Sequence, residues 1–465
     1  MKLDLFLKGG MLVFPGERVA PGSVGIRGGR IAVIAAPDEH FDAVREVDCG
    51  GRWVMPGVID PHVHFGFGDP ATDFSTESRS AALGGVTFVI SFFRTKDFVA
   101  GFEAELARSS SQSVIDFSYH LGLTGDLHVR QLAECYRRYG VSSYKMYMMY
   151  KGQAGLAKGF TDIDDGLLFA AMREAAALPG AVMGVHCENV EVIPYLREPL
   201  RAAARDDLAA WNEQSPDFLE AENVHRVCYF AAKTGCAANI VHLSSSEALD
   251  EVRRHRRRTK VPLYVETCPQ YLHLTTGSKA GVLAKVNPPV RDERDVEALW
   301  EGVADGTVTT IGSDHVPRKR ATKEKDIWSA TNGFPGVATI LPIMIDEGYH
   351  KRRIPIERLS GLMSANAARS YMVPNKGALA PGYDADIAIV DPDLERIVDP
   401  DALGSFADYS PYETEKLKGW PVMTIARGRI VAEDGRLTDA AIDGSGRYVP
   451  RWPDGTGHIK ELKTE

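Results

Sequence analysis

Apolar positions follow two rhythms along this chain. Near both ends they form short alternating or continuous runs punctuated by glycine. Residues 3–8, 11–14, 23–27 and 30–34 are broken by Gly9-Gly10 and Gly28-Gly29, and residues 385–390, 421–426 and 429–432 have Gly428 in the last turn. Runs of this kind predict strands joined by tight turns. Between them, eight strand-like apolar runs (53–59, 86–91, 114–121, 143–147, 182–186, 239–243, 263–267 and 309–312) alternate with helical stretches such as 102–108, 127–139 and 166–177. Eight buried strands with intervening helices are the pattern of a (β/α)8 TIM barrel. The expected architecture is therefore an α/β protein. Residues 1–53 give the first part of a small β-sandwich, 54–373 the barrel and 374–444 the second part of the sandwich. Residues 445–465 form a tail rich in glycine, proline and charge that either wraps a neighbouring subunit or stays disordered.

Composition narrows the function without naming it. At 465 residues the chain exceeds what one hydrophobic core usually supports, so a barrel plus a smaller domain is the simplest arrangement. The net charge of -9 is spread along the chain, which argues against nucleic acid as a partner. One basic run, from Arg253 to Arg258, follows a helical stretch and reads as a solvated helix end. No apolar run could span a bilayer, and residues 1–7 lack a basic region followed by an apolar core. Cys49, Cys135, Cys187, Cys228, Cys236 and Cys268 show no CxxC pairing and read as reduced, buried thiols of a cytoplasmic protein.

The chemistry sits at the C-terminal ends of the predicted barrel strands, where barrel enzymes build their sites. The first ends in Asp60-Pro61-His62-Val63-His64, and alternate residues of an extended segment face the same way, so His62 and His64 can share one ion. The fourth carries Lys145, the fifth ends in His186, the sixth in His242 and the eighth near Asp314. Imidazole and carboxylate together suit Zn2+, with Mn2+, Co2+ or Fe2+ as alternatives. The donors outnumber what one catalytic zinc needs and fit two divalent ions ~3.5–4 Å apart. Lys145 lies in the apolar run Tyr144-Lys145-Met146-Tyr147-Met148-Met149-Tyr150. Burial beside cations lowers its pKa, and a neutral amine can add CO2 to become a carbamate, an anion able to bridge both metals.

These segments resemble a known family. Pro56-Gly57-Val58-Ile59-Asp60-Pro61-His62-Val63-His64, Gly184-Val185-His186-Cys187-Glu188-Asn189, Val241-His242-Leu243-Ser244 and Gly312-Ser313-Asp314-His315 are similar to the amidohydrolase superfamily, in particular its dihydropyrimidinase, hydantoinase, allantoinase and dihydroorotase branch. Gly377-Ala378-Leu379 leading to Gly382-Tyr383-Asp384-Ala385-Asp386 fits the same family. The resemblance implies opening of a cyclic amide or imide by a metal-bridging hydroxide. It places His62, His64 and Asp314 on the more buried metal, His186 and His242 on the more exposed one, and carboxylated Lys145 between them. Asp314 would serve as general base and then general acid. Tyr150, five residues after Lys145, would hydrogen-bond the oxyanion. Asn332 in Asn332-Gly333-Phe334-Pro335-Gly336 and Asn287 in Asn287-Pro288-Pro289-Val290-Arg291 would hold the ring through their backbones. Relatives are often oligomers, so a homotetramer or dimer is expected.

The departures point to a hydantoin- or dihydropyrimidine-type ring. Hydantoinases more often carry serine at the position of Asn287, and the Asn-Pro-Pro form is similar to dihydroorotases. Yet His64 is followed by Phe65-Gly66-Phe67-Gly68, without the arginine with which dihydroorotases bind a substrate carboxylate, so a carboxylate-bearing ring is disfavoured. The Asn-Glu-Pro-Gly-like stretch of allantoinases is absent as well. Phe65, Phe67, Phe93 and Tyr147 give an aromatic density beside the metal motifs that predicts an apolar pocket for the ring's substituent, with Phe65 a substrate contact. Allantoin or dihydroorotate hydrolysis is the alternative on the same scaffold. Proteins resembling the collapsin response mediators keep this fold as non-enzymatic scaffolds but lack the ligands, which are all filled here.

Overall fold

The structure, a computed structural model, describes residues 2–156 and 163–453. The parallel strands β6 (Val58–Val63), β7 (Val86–Phe93), β8 (Asp116–Leu123), β9 (Ser143–Tyr147), β10 (Val182–His186), β11 (Ala237–Ile240), β12 (Leu263–Thr267) and β13 (Thr310–Ile311) follow one another in one eight-stranded sheet. A parallel bridge between Val63 and His315 joins its first and last strands and nearly closes the barrel. Buried Asp60 reinforces that seam by accepting the Ser313 and His62 backbone N–H groups, each at 3.0 Å, and the Ser313 hydroxyl at 2.5 Å. All residues of β6 to β10 are buried, which explains the continuous apolar run of β7, while β6 and β8 bury polar side chains such as Asp60, His62, Asp116 and His120 among apolar ones.

Both chain ends build the second, mostly antiparallel sheet. It takes β1 (Leu3–Phe14), β2 (Arg18–Arg27), β3 (Arg30–Ala35), β4 (Ala43–Asp48) and β5 (Trp53–Pro56) from the start, and β14 (Ile387–Ile397), β15 (Lys416–Ala426), β16 (Arg429–Glu433) and β17 (Arg436–Leu437) from the finish. The two short runs expected at 3–8 and 11–14 are one strand whose register shifts between Leu7 and Gly10. Its first half pairs with β4 and its second half with β5. The run 53–59, expected as one barrel strand, divides at Gly57: β5 joins the second sheet against β14, and β6 starts the barrel. Gly57 packs so tightly that a Cβ there would lie 2.2 Å from Thr87 Oγ1.

Three further expectations meet the structure here. The basic run finishes the helix Ser246–Arg256, where Arg253 pairs with Asp250 and Asp305 and Arg254 with Glu251. All six cysteines are buried and free. Of the tail, residues 454–465 lie outside the described residues, while the part before them is docked. Phe117 bridges to Tyr448, and Arg451 is fully buried, donating to Ser118 Oγ at 2.9 Å and Ser143 Oγ at 2.8 Å.

A buried charge cluster ties the two sheets together. Lys376 Nζ lies 2.8 Å from Asp116, 3.0 Å from Asp384 and 2.5 Å from Asp386, and Arg427 Nε lies 2.9 Å from Asp116. Among the described residues no helix is long and apolar enough to cross a membrane.

Candidate active site

Six polar side chains from five barrel strands converge at one end of this barrel. His62 lies within β6 and His64 just past it, Lys145 lies in β9, His186 ends β10, and His242 and Asp314 follow β11 and β13. All are buried. The His62 and His242 ring centres are 5.3 Å apart, those of His62 and His64 5.4 Å, and those of His186 and His242 4.5 Å. Asp314 Oδ1 lies 3.1 Å from both His62 Nε2 and His64 Nε2. Lys145 Nζ lies 3.5 Å from His242 Nε2 and turns away from bulk water. His242 and Asp314 have φ of 40° and 53°, so two of the converging residues sit in left-handed backbone. Strain of that kind gathers at functional sites.

Carboxylates behind the ring fix how the imidazoles face. Glu266, fully buried, holds His62 Nδ1 at 2.5 Å. Glu188 holds His186 Nε2 at 3.2 Å and is itself bound by the Ser215 hydroxyl at 2.6 Å. With Nδ1 protonated toward Glu266, a neutral His62 offers a lone pair from Nε2 to Asp314 Oδ1. Two acceptors 3.1 Å apart repel unless a proton or a cation lies between them. In the second pair His186 Nδ1 lies 2.9 Å from His242 Nε2, within reach of a hydrogen bond from the latter. Carboxylate-backed imidazoles of this sort are how proteins orient metal ligands. Ligand atoms of His62, His64 and Asp314 lie within 4.8 Å of one another, a candidate metal-binding group. Among the described residues, buried His64 Nδ1 and His242 Nδ1 have no hydrogen-bond partner. The residues present therefore fit divalent cations.

Burial dominates the electrostatics. It drives His64 down to about 3 despite Asp314, and takes His242 well below its ordinary value with help from Lys145. Burial also lowers Lys145 to about 8, partly opposed by Asp314 and Glu266. For His62 burial pulls down most strongly, but Glu266 and Asp314 together outweigh it, and the net shift is upward. Asp314 stays well below the usual carboxylate range: burial opposes this, and the His62 and His64 imidazoles overcome it. Burial thus favours neutral His64, His186 and His242 around a firmly ionised carboxylate, the states metal ligation requires, while a proton held by His62 is what a bound cation would displace.

The site opens into a cavity of about 500 Å3 lined by His62, His64, Lys145, His186, His242 and Asp314, and by Tyr150, Asn287 and Asn332. Tyr147 also lines it, and its hydroxyl is buried without a partner among the described residues. Phe65 does not line the cavity. Its ring packs against Phe74 at 5.4 Å and His315 at 5.7 Å, and Phe93 packs against Phe98 and Phe102. The aromatic density beside the metal motifs thus serves the core more than the pocket, where Phe67 and Tyr147 remain.

Residues 161–431 match the amidohydrolase family. The L-hydantoinase of Paenarthrobacter aurescens is 32% identical over 462 residues, covering 96% of this chain and 98% of that protein. The chain belongs to the amidohydrolase family. Within it, an allantoinase from Rubrobacter xylanophilus is 35% identical over 458 residues, covering 96% of this chain and 97% of that protein. The solved structure of an L-hydantoinase (dihydropyrimidinase) from Arthrobacter aurescens superposes with a TM-score of 0.90 at 31% identity, covering 97% of this chain and 100% of that one. This amidohydrolase is an enzyme of the cyclic amide branch.

The sequence alone does not mark Glu266, Glu188 and Asp60 as parts of this site. Glu188 stands inside the motif around His186, and Asp60 two places before His62. Glu266 had only its place near the end of a strand-like run as a signal.

Proposed function

We propose that this amidohydrolase opens a hydantoin- or dihydropyrimidine-type ring with two bound divalent cations. The convergence of six buried donors, two of them backed by carboxylates, carries the reading. His62, His64 and Asp314 would hold one ion, His186 and His242 the other, and carboxylated Lys145 both. Such a pair, when bound, supplies the positive charge that acidifies water and polarises an amide carbonyl.

The chain's own groups do the rest. With a pKa of about 8, Lys145 is neutral in roughly a tenth of molecules at pH 7, some 300-fold more than an ordinary lysine. Its amine adds CO2 and releases a proton, which turns the buried cation into an anion. Asp314, held ionised, accepts the proton of the attacking water and returns it to the ring nitrogen as the C–N bond breaks. The Tyr150 hydroxyl donates to the oxygen that gains negative charge, a contact worth about 3–4 kcal/mol in sites of this type. Asn287 and Asn332 hold the ring.

The test is turnover of hydantoin, dihydrouracil, allantoin and dihydroorotate by protein of known metal content, with Lys145→Ala beside it. Opening of the first two is expected, preference for allantoin would move the reading to allantoinase, turnover of dihydroorotate alone would move it to dihydroorotase, and Lys145→Ala should lose metal and turnover together. No ring opening by protein holding two ions per chain would refute the proposal.

A further inference from the structure

Apart from the metal-ligand cluster, the cavity is one-sided in charge among its described lining residues. Arg94, Arg197, Lys285 and Arg318 all line it, whereas Glu188 and Asp314 are the carboxylates among its described lining residues. Both acids are engaged, Glu188 with His186 and Ser215, and Asp314 with His62 and His64. A neutral ring gains little from four cations, and bringing like charges together in a partly desolvated cleft is unfavourable.

The cations fall into two groups. Lys285 and Arg197 flank Trp211, at 4.0 Å and 5.8 Å from its ring centre. Each gives a hydrogen bond to the protein, Lys285 Nζ to the Ala330 carbonyl at 2.5 Å and Arg197 Nε to Gln214 Oε1 at 2.5 Å. The other group stands by the ligands. Arg94 lies 4.2 Å over the Phe67 ring, which is 5.0 Å from the His64 ring. Arg318 comes from the loop that carries Asp314, and its Nε is buried without a hydrogen-bond partner among the described residues. The loop after His64 and the loop after Asp314 touch: a Cβ on Gly68 would lie 2.5 Å from the Pro317 carbonyl oxygen. No cation follows His64 in the sequence, yet Arg94 and Arg318 bring two to the cavity that holds His64 and Asp314.

We infer that Arg318, with Arg94 on the same cavity lining, binds an anionic substituent, so that this enzyme opens hydantoin- or dihydropyrimidine-type rings faster when they carry a carboxylate or comparable oxyanion. The inference rests on the hydrolytic reading of the same site. A guanidinium fork matches a carboxylate in shape and charge. It also reverses the expectation from residues 65–68 that a carboxylate-bearing ring is disfavoured. The opened product acquires a carboxylate too, but that one forms beside Asp314.

The test compares 5-(carboxymethyl)hydantoin with its carboxamide. kcat/KM is measured on the metal-loaded enzyme, and affinity by calorimetry, for the natural protein and for Arg318→Gln and Arg318→Lys. The acid is expected to be preferred by about tenfold to a hundredfold, Arg318→Gln to lose most of that ratio and Arg318→Lys to keep part of it. Equal kcat/KM for acid and carboxamide overturns the inference and leaves the hydrolytic reading standing. If neither ring opens, the hydrolytic reading fails, and calorimetry still decides. Tighter binding of the acid, weakened in Arg318→Gln, supports the anion site, and equal or absent binding of the acid overturns it.

Discussion

Replacing Glu266 with glutamine isolates what the carboxylate behind His62 contributes. The substitution keeps the side chain's shape in a fully buried place but removes the charge. In the natural protein Oε1 meets His62 Nδ1 at 2.5 Å and accepts the His242 N–H at 3.3 Å, while Oε2 accepts from Asn239 Nδ2 at 3.5 Å. Glutamine can keep the two bonds to Oε1 only by setting its amide against Asn239, a donor facing a donor. The charge-assisted bond to His62 falls to an ordinary one, a loss of about 1–2 kcal/mol, and the long Asn239 bond adds up to ~1 kcal/mol. If the lost ordering of His62 appears in metal binding, affinity should drop roughly tenfold to a hundredfold, as for other residues that hold a ligand from behind. The assay is chelator competition at fixed pH, with turnover measured against added metal. Activity should return at high metal, because the ligands themselves are intact. Unchanged metal affinity in Glu266→Gln would refute the claim that this carboxylate orients His62.

Two further substitutions probe the frame. A Cβ at Gly312 would lie 2.8 Å from that of His62 and 3.1 Å from Glu266 Cδ, so Gly312→Ala should cost about 1–3 kcal/mol by overpacking and lower metal content, read by thermal midpoint and elemental analysis. Lys376→Met leaves Asp116, Asp384 and Asp386 with Arg427 as the remaining cation and should destabilise by about 3–5 kcal/mol at neutral pH. Without Lys376, Asp386, already raised by burial, rises further and Asp116 loses the first of the cations that hold it down, so the stability they permit is present at low pH and lost as pH rises through the raised values. The variant's deficit in thermal midpoint should therefore be smaller at pH 5 than at pH 8, and an equal deficit at both would count against the cluster.

Where a feature is local, the sequence shows it. The runs 143–147, 182–186 and 263–267 coincide with β9, β10 and β12, because a strand buried on both faces is mostly apolar and keeps polar residues such as Lys145, His186 and Glu266 for the site. The same uniformity conceals the division at Gly57, since β5 and β6 are equally buried and only their partners differ. Strand β4 escaped notice because its face is largely exposed and its residues charged. The converging donors were legible because each follows an apolar run. Glu266 and Arg318 were not: their meaning lies in His62 and Arg94, more than two hundred residues away along the chain. Phe65 erred in the other direction, since its neighbours in sequence are site residues and its neighbours in space are the core.

The left-handed backbone at His242 and Asp314 leaves a mark on how this enzyme can diverge. A side chain forced to positive φ costs about 1–2 kcal/mol, least for glycine, asparagine and aspartate, most for β-branched residues. A descendant that gave up its chemistry would drift freely at His62 or His186, but at these two places only toward residues that tolerate the bend. Asparagine or glycine there, on an otherwise ligand-free barrel, would be the fossil of a lost hydrolase.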